Sequence, residues 1–104
     1  MDDDTETGAK DGRRYRIGTA EFAAPPLDSA LYLVATPIGN LRDITIRALE
    51  TLAAADVVAA EDTRVSRVLF SRYDMARRLV AYHEHNADEA GPRLLAALEA
   101  GKSV

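Results

Sequence analysis

Three short stretches place chemically capable residues directly after apolar runs. Glu61-Asp62-Thr63-Arg64 follows Val57-Val58-Ala59-Ala60. A carboxylate there could accept from a ribose hydroxyl or act as a general base, which makes Glu61 and Asp62 candidates. Asp62 could equally serve as the cap of a following helix. His83-Glu84-His85-Asn86 follows Leu79-Val80-Ala81-Tyr82. A histidine titrates near neutrality, so His85 is a candidate base or hydrogen-bond donor; a structural histidine at a strand end is the plainer reading. A zinc site needs more ligands than the pair His83 and His85, so no metal is expected. Thr36-Pro37-Ile38-Gly39-Asn40 follows Leu31-Tyr32-Leu33-Val34-Ala35. Proline fixes φ and glycine lets a backbone approach a ligand closely, so this is either a ligand loop or an ordinary βα turn. Neither G-x-G-x-x-G nor a Walker lysine loop occurs.

The elements that must hold these stretches follow from periodicity. Leu31–Ala35, Val57–Ala60 and Leu79–Tyr82 read as short buried strands. A first helix is expected over Asp43–Ala54, with Asp43 as N-cap and Ile44, Ala48 and Leu52 at helical spacing. Ile46, Leu49 and Ala53 lie alongside them, and Arg42, Arg47 and Glu50 fall on the outer face. A second helix follows Asp62 or Thr63, with Val65, Val68 and Leu69 on one face. Asn86 and Glu89 have the spacing of a capping box ahead of a third. Pro92 either kinks that helix or starts its regular part. Leu94, Leu95 and Leu98 give its apolar face, and Gly101 suits the position after its end. Lys102-Ser103-Val104 reads as the opening of a fourth strand. The order β-α-β-α-β-α-(β) predicts an α/β fold: a partial parallel sheet with flanking helices, truncated before the fourth strand.

The chain has 104 residues, no cysteine and a formal net charge of −4. Disulfide and thiolate chemistry are excluded. No segment approaches the roughly 18 apolar residues of a membrane span, and the acidic N-terminus lacks the apolar core of a secretory signal. A cytoplasmic location is therefore expected.

Residues 1–28 read as a polar leader, disordered or extended, ahead of a domain over 29–104. Arg13-Arg14-Tyr15-Arg16 within the leader is either a solvated tail or an arm touching nucleic acid. Between Thr63 and Arg78 the charges are Arg64, Arg67, Arg72, Arg77 and Arg78 against Asp74 alone. Arginine fits phosphate bidentately and stacks on bases, so this stretch is a candidate RNA-backbone surface or a solvated helix face.

Taken together, Leu31 to Leu49, Ala60-Glu61-Asp62-Thr63-Arg64 and His83-Glu84-His85-Asn86 resemble the ribosomal RNA ribose methyltransferases of the tetrapyrrole methylase superfamily. The resemblance runs from about Leu31 to Val104. It implies a two-domain α/β fold with S-adenosylmethionine (SAM) in the cleft between the domains, of which this chain resembles the first part. It implies 2′-O-methylation of a cytidine in the decoding region of 16S rRNA, on the small ribosomal subunit, by a full-length protein that forms a homodimer. Thr36, Pro37, Ile38, Gly39 and Asn40 would line the cofactor cleft, Arg42, Arg64 and Arg67 would face RNA, and Glu61, Asp62 and His85 are the candidates to take the hydroxyl proton. A non-catalytic RNA-binding or assembly domain is one alternative. A tetrapyrrole (corrin or porphyrin) methylase is another, although those enzymes usually have a glycine-richer first loop than Thr36–Asn40.

Overall fold

The computed structural model describes residues 13–104. In chain order its elements are β1 (Arg14–Ile17), β2 (Ala20–Ala23), a 3-10 turn (Leu41–Asp43), α1 (Ile46–Ala54), β3 (Val58–Ala60), α2 (Thr63–Arg72), β4 (Leu79–Ala81) and α3 (Ala87–Glu99). β3 and β4 pair in parallel, with Val58 opposite Leu79 and Ala60 opposite Ala81. A parallel pair needs a crossover, and α2 supplies it. The mixed α/β fold with a parallel sheet and flanking helices is the one the alternation of patterns predicts.

The expected first strand is corrected. Leu31–Ala35 is not a buried strand: its residues alternate between exposed and half-buried, and Leu33 is 91% exposed. Its backbone pairing is confined to the beginning. Tyr32 N donates to Val104 O at 2.8 Å, and Val104 N donates to Ala30 O at 3.0 Å. On the other flank Val57 N donates to Ser103 O at 3.1 Å. Ser103 and Val104 thus lie between the 30–32 segment and the start of β3. A parallel strand is buried only when it is flanked and covered on both faces; beyond Tyr32 this segment has no backbone partner among the described residues, and Val34 alone of residues 33–35 packs against the core.

The polar leader is also corrected in part. Residues 1–12 lie outside the described residues. Residues 14–23, expected to be disordered or extended, form an antiparallel hairpin with Ile17 opposite Ala20. Its two-residue turn has Gly18 at φ +61°, the position where a type II′ turn calls for glycine. The Tyr15 ring stacks on Phe22 with centroids 5.4 Å apart, and β1 packs on α1. Arg16 N donates to Tyr73 O at 2.8 Å, which ties the hairpin to the end of α2. The ordering comes from tertiary burial of Tyr15, which strands of four residues are too short to announce by period.

Helix starts differ from expectation in instructive ways. α1 is capped by Thr45, whose Oγ1 accepts from Ala48 N at 3.0 Å. Asp43 instead closes the 3-10 turn that Asn40 caps. α2 is capped by Asp62, one of the two expected residues. Its buried side chains are Leu69 and Phe70, whereas Val65 and Val68 are exposed. α3 begins at Ala87, upstream of Pro92, so the helix does not start at the proline. The Asn86 side chain does not cap it. Its end is a Schellman motif: Gly101, at φ +85°, donates to Leu98 O, and Lys102 N donates to Ala97 O.

The core joins Leu49, Leu52, Ala53 and Ala54 of α1 to Leu69 and Phe70 of α2, with Tyr15, Val58, Tyr73 and Met75 around them. Each buried Leu or Phe contributes about 1.5–3 kcal/mol relative to exposure. This cluster fixes α1 and α2 about β3, and so sets where the loop after β3 projects.

Candidate functional site

The loops after β3 and β4 meet. Both follow carboxyl ends of adjacent parallel strands, where ligands of open α/β sheets bind. Between them is an open concavity of about 510 Å³ lined by Glu61, Asp62, Thr63, Arg64, Ala81 and His83.

Each side chain is placed by a local rule. Asp62 is the N-cap of α2: its Oδ1 accepts from Arg64 N at 3.0 Å and from Arg64 Nε at 3.4 Å. The Arg64 side chain, with its backbone N–H, holds the Asp62 carboxyl below the usual carboxylate range. A carboxylate so committed is a poor proton acceptor. Glu61 lies one residue earlier, is exposed, and accepts no hydrogen bond among the described residues. Of the two carboxylates, Glu61 is the one that neither caps a helix nor pairs with an arginine among the described residues.

The β4 loop is organised by Asn86. Its Oδ1 accepts from His83 N at 2.8 Å and its Nδ2 donates to Ala81 O at 2.9 Å. Those two bonds engage the amide that the cap spacing assigns to α3. They hold His83 in the concavity. His85 does not line it; its backbone N–H donates to His83 Nδ1 at 3.2 Å. The structure therefore brings Glu61, Asp62 and Arg64 together with His83, not with His85. The signal is present in the sequence: His83 stands directly after the strand, two residues past Ala81, where a side chain still follows the sheet edge.

The Thr36–Asn40 loop joins neither this concavity nor its rim. Ile38 is 99% exposed, and a side chain at Gly39, φ +92°, would meet nothing within 4 Å. Asn40 Oδ1 accepts from Arg42 N at 3.0 Å. The loop is anchored instead at its far end, where Tyr73 Oη donates to Leu41 O at 2.6 Å. That contact seats Leu41 beside α2, in a second shallow concavity of about 450 Å³ with Arg67, Val68, Ser71 and Arg72.

Charge pairing divides the arginines. Arg13 pairs with Asp56 at 3.2 Å, Arg14 with Glu21 at 3.7 Å and Arg16 with Asp74 at 3.2 Å. The leader cluster is thus engaged within the fold. Arg42, Arg67 and Arg72 have no carboxylate partner among the described residues. Among the same residues no group of three or more His, Asp or Glu could hold a metal ion, and no helix is long and apolar enough to cross a membrane.

The family described as Tetrapyrrole (Corrin/Porphyrin) Methylases matches residues 30–104. The chain belongs to the tetrapyrrole methylase family. It is 72% identical over 88 residues to a protein of Mesorhizobium japonicum named ribosomal RNA small subunit methyltransferase I, covering 85% of this chain and 30% of that one. Proteins of the same name in Halalkalibacterium halodurans and Bacillus subtilis are 54% and 49% identical over 74 residues, 71% of this chain and 26% and 25% of theirs. The chain thus spans between a quarter and a third of these relatives. The Mesorhizobium match, at 88 residues, is longer than the family span and so reaches into the β1–β2 hairpin. The span that matches the methylase family includes both strand ends that form the concavity.

Proposed function

We propose that this chain is the N-terminal part of a SAM-dependent methyltransferase that modifies the 2′-hydroxyl of a cytidine in the decoding region of 16S rRNA. The observation that carries the reading is the concavity where Glu61, Arg64 and His83 meet at the carboxyl ends of two parallel strands. The names of the relatives support ribosomal RNA as the substrate. Residues 29–104, with the β1–β2 hairpin packed on them, form the domain, and the cytoplasm and a homodimeric parent protein belong to the same reading.

Methylating a ribose hydroxyl requires a group that accepts its proton and groups that hold the sugar-phosphate in line. Glu61 accepts the proton. Arg64 holds the neighbouring phosphate, with Arg42 and Arg67 on the backbone further along. Asp62 acts through Arg64 and the α2 terminus rather than as a base. SAM supplies the methyl group when bound. Thr36–Asn40 contributes one wall of its cleft, and the other walls come from the part of the relatives that this chain does not span.

The test is a chimera joining this chain to the remaining two thirds of the Mesorhizobium relative. Supplied with SAM and 30S subunits from cells lacking the enzyme, it restores a 2′-O-methylcytidine to 16S rRNA. A chimera that folds and binds SAM yet leaves the rRNA unmodified overturns the reading. Salt-dependent RNA binding without SAM affinity would instead indicate a non-catalytic RNA-binding segment.

A further inference from the structure

We propose that His83 is a hydrogen-bond donor to a phosphate oxygen of a ribose-phosphate ligand, acting through Nε2–H. The inference rests on the functional reading above for its ligand, but the residue's chemistry follows from geometry alone. A backbone amide can only donate. His85 N–H points at His83 Nδ1 across 3.2 Å, so Nδ1 is the acceptor and carries no proton. A neutral imidazole has one proton, and here it resides on Nε2. The two rings lie edge to face with centroids 5.8 Å apart, so the His85 backbone rather than its ring makes this contact.

The turn that carries the ring is held at three points. His83 N donates to Asn86 Oδ1, Asn86 Nδ2 donates back to Ala81 O, and His85 N closes the turn on Nδ1. Only the last of these bonds is made to the imidazole, at Nδ1, so Nε2 is unengaged among the described residues and His83 lines the concavity.

The occupant's chemistry follows from the other residues there. Arg64 uses Nε on Asp62 and keeps its terminal nitrogens available; its side chain is 89% exposed. Arg64 and His83 are therefore two donors facing one space, and Glu61 is an acceptor beside them. A ribose-phosphate carries the matching pair: an anionic phosphate for the donors and a hydroxyl for the carboxylate. His83 is then a positioning residue that fixes the phosphate, and it takes no proton.

Long-range 1H–15N spectra of the 104-residue chain read the tautomer directly. The expected result is Nε2–H for His83; a proton on Nδ1 overturns the proposal. Titration with ribose 5-phosphate moves the His83 Nε2 and Arg64 Nε resonances, whereas free ribose moves neither. No response to ribose 5-phosphate also overturns it. Two variants separate positioning from structure. His83→Gln carries an amide donor near the Nε2 position and keeps phosphate binding within about threefold, whereas His83→Asn keeps an acceptor near Nδ1 and loses binding about tenfold or more. The reverse order assigns His83 a structural role only. Amide fingerprint spectra confirm that both variants are folded. An inactive chimera would sink the functional reading and leave these measurements standing; the Nδ1–H tautomer would sink the donor role and leave methylation standing.

Discussion

Asp56 and Ser103 grip each other through both backbone and side chain. Ser103 N and Ser103 Oγ donate to Asp56 Oδ2 at 2.9 and 3.1 Å, and Ser103 Oγ accepts from Asp56 N at 3.0 Å. Arg13 reaches the other carboxylate oxygen. One pair of residues thus joins the start of β3, the segment beside it and the N-terminal hairpin.

The pair is titratable. The Ser103 N–H, the largest influence, holds the Asp56 carboxyl below its ordinary value of 3.8. A folded pKa below the unfolded one gives stability that is complete above the unfolded value and is lost as pH falls through the folded one. Asp56→Asn therefore lowers urea stability at pH 7, and the gap to the parent chain narrows as the medium is acidified below 3.8. Ser103→Ala removes the hydroxyl from a residue only 2% exposed and strands Asp56 N; it costs about 1–2 kcal/mol. Equal denaturation midpoints for Ser103→Ala and the parent would contradict this account.

Tyr73→Phe deletes the hydroxyl that donates to Leu41 O while leaving a buried ring in place. Removing that bond costs about 1 kcal/mol. Hydrogen exchange localises the effect: amides of 41–44 exchange faster and those of α1 do not. Uniform acceleration over both segments would mean that Tyr73 supports the core as a whole rather than the loop.

Glu61 and Asp62 are adjacent in sequence but differ in their partners. In the chimera, Glu61→Gln lowers the methylation rate by about 10²–10⁴ if this carboxylate takes the hydroxyl proton. Asp62→Asn leaves a side-chain oxygen to cap α2 and changes the rate much less. A larger loss from Asp62→Asn than from Glu61→Gln would exchange the two assignments.

Arg67 and Arg72 flank the second concavity and lack carboxylate partners among the described residues. Replacing both by alanine weakens binding of the chimera to a 16S rRNA fragment. It also lowers the magnitude of the salt slope by about 0.7 for each phosphate no longer neutralised. Replacing Arg14, which is paired with Glu21, leaves that slope unchanged. A slope unaffected by the double substitution would make this helix face merely solvated.

The fold is legible where the pattern is local. β3, β4 and the stop of α3 just before Gly101 each follow from runs, spacing or a positive-φ glycine within one element. Nonlocal burial is not legible. The Leu31–Ala35 run is as apolar as its counterparts, yet exposure depends on what lies beside it, and no composition records a neighbour. The inner face of α2 differs from expectation for the same reason. Val65 and Val68 fit the period as well as Leu69 does, but the core takes Leu69 and Phe70. At the concavity, the motif containing His83 and His85 is visible in the sequence. Which histidine lines the concavity depends on the side-chain bonds of Asn86, which spacing cannot resolve.

The threading of Ser103 and Val104 between Tyr32 and Val57 has a kinetic side. Spatial neighbours in this sheet are distant in the chain, so Tyr32 and Val57 gain their shared partner only after both intervening crossovers are made. High contact order slows folding, because loop closure must precede the reward. During synthesis the early segment emerges long before its pairing partner. Until residue 104 clears the ribosome, α1 and the hairpin are the parts able to consolidate, and the backbone groups of Ala30 and Tyr32 wait for their partner.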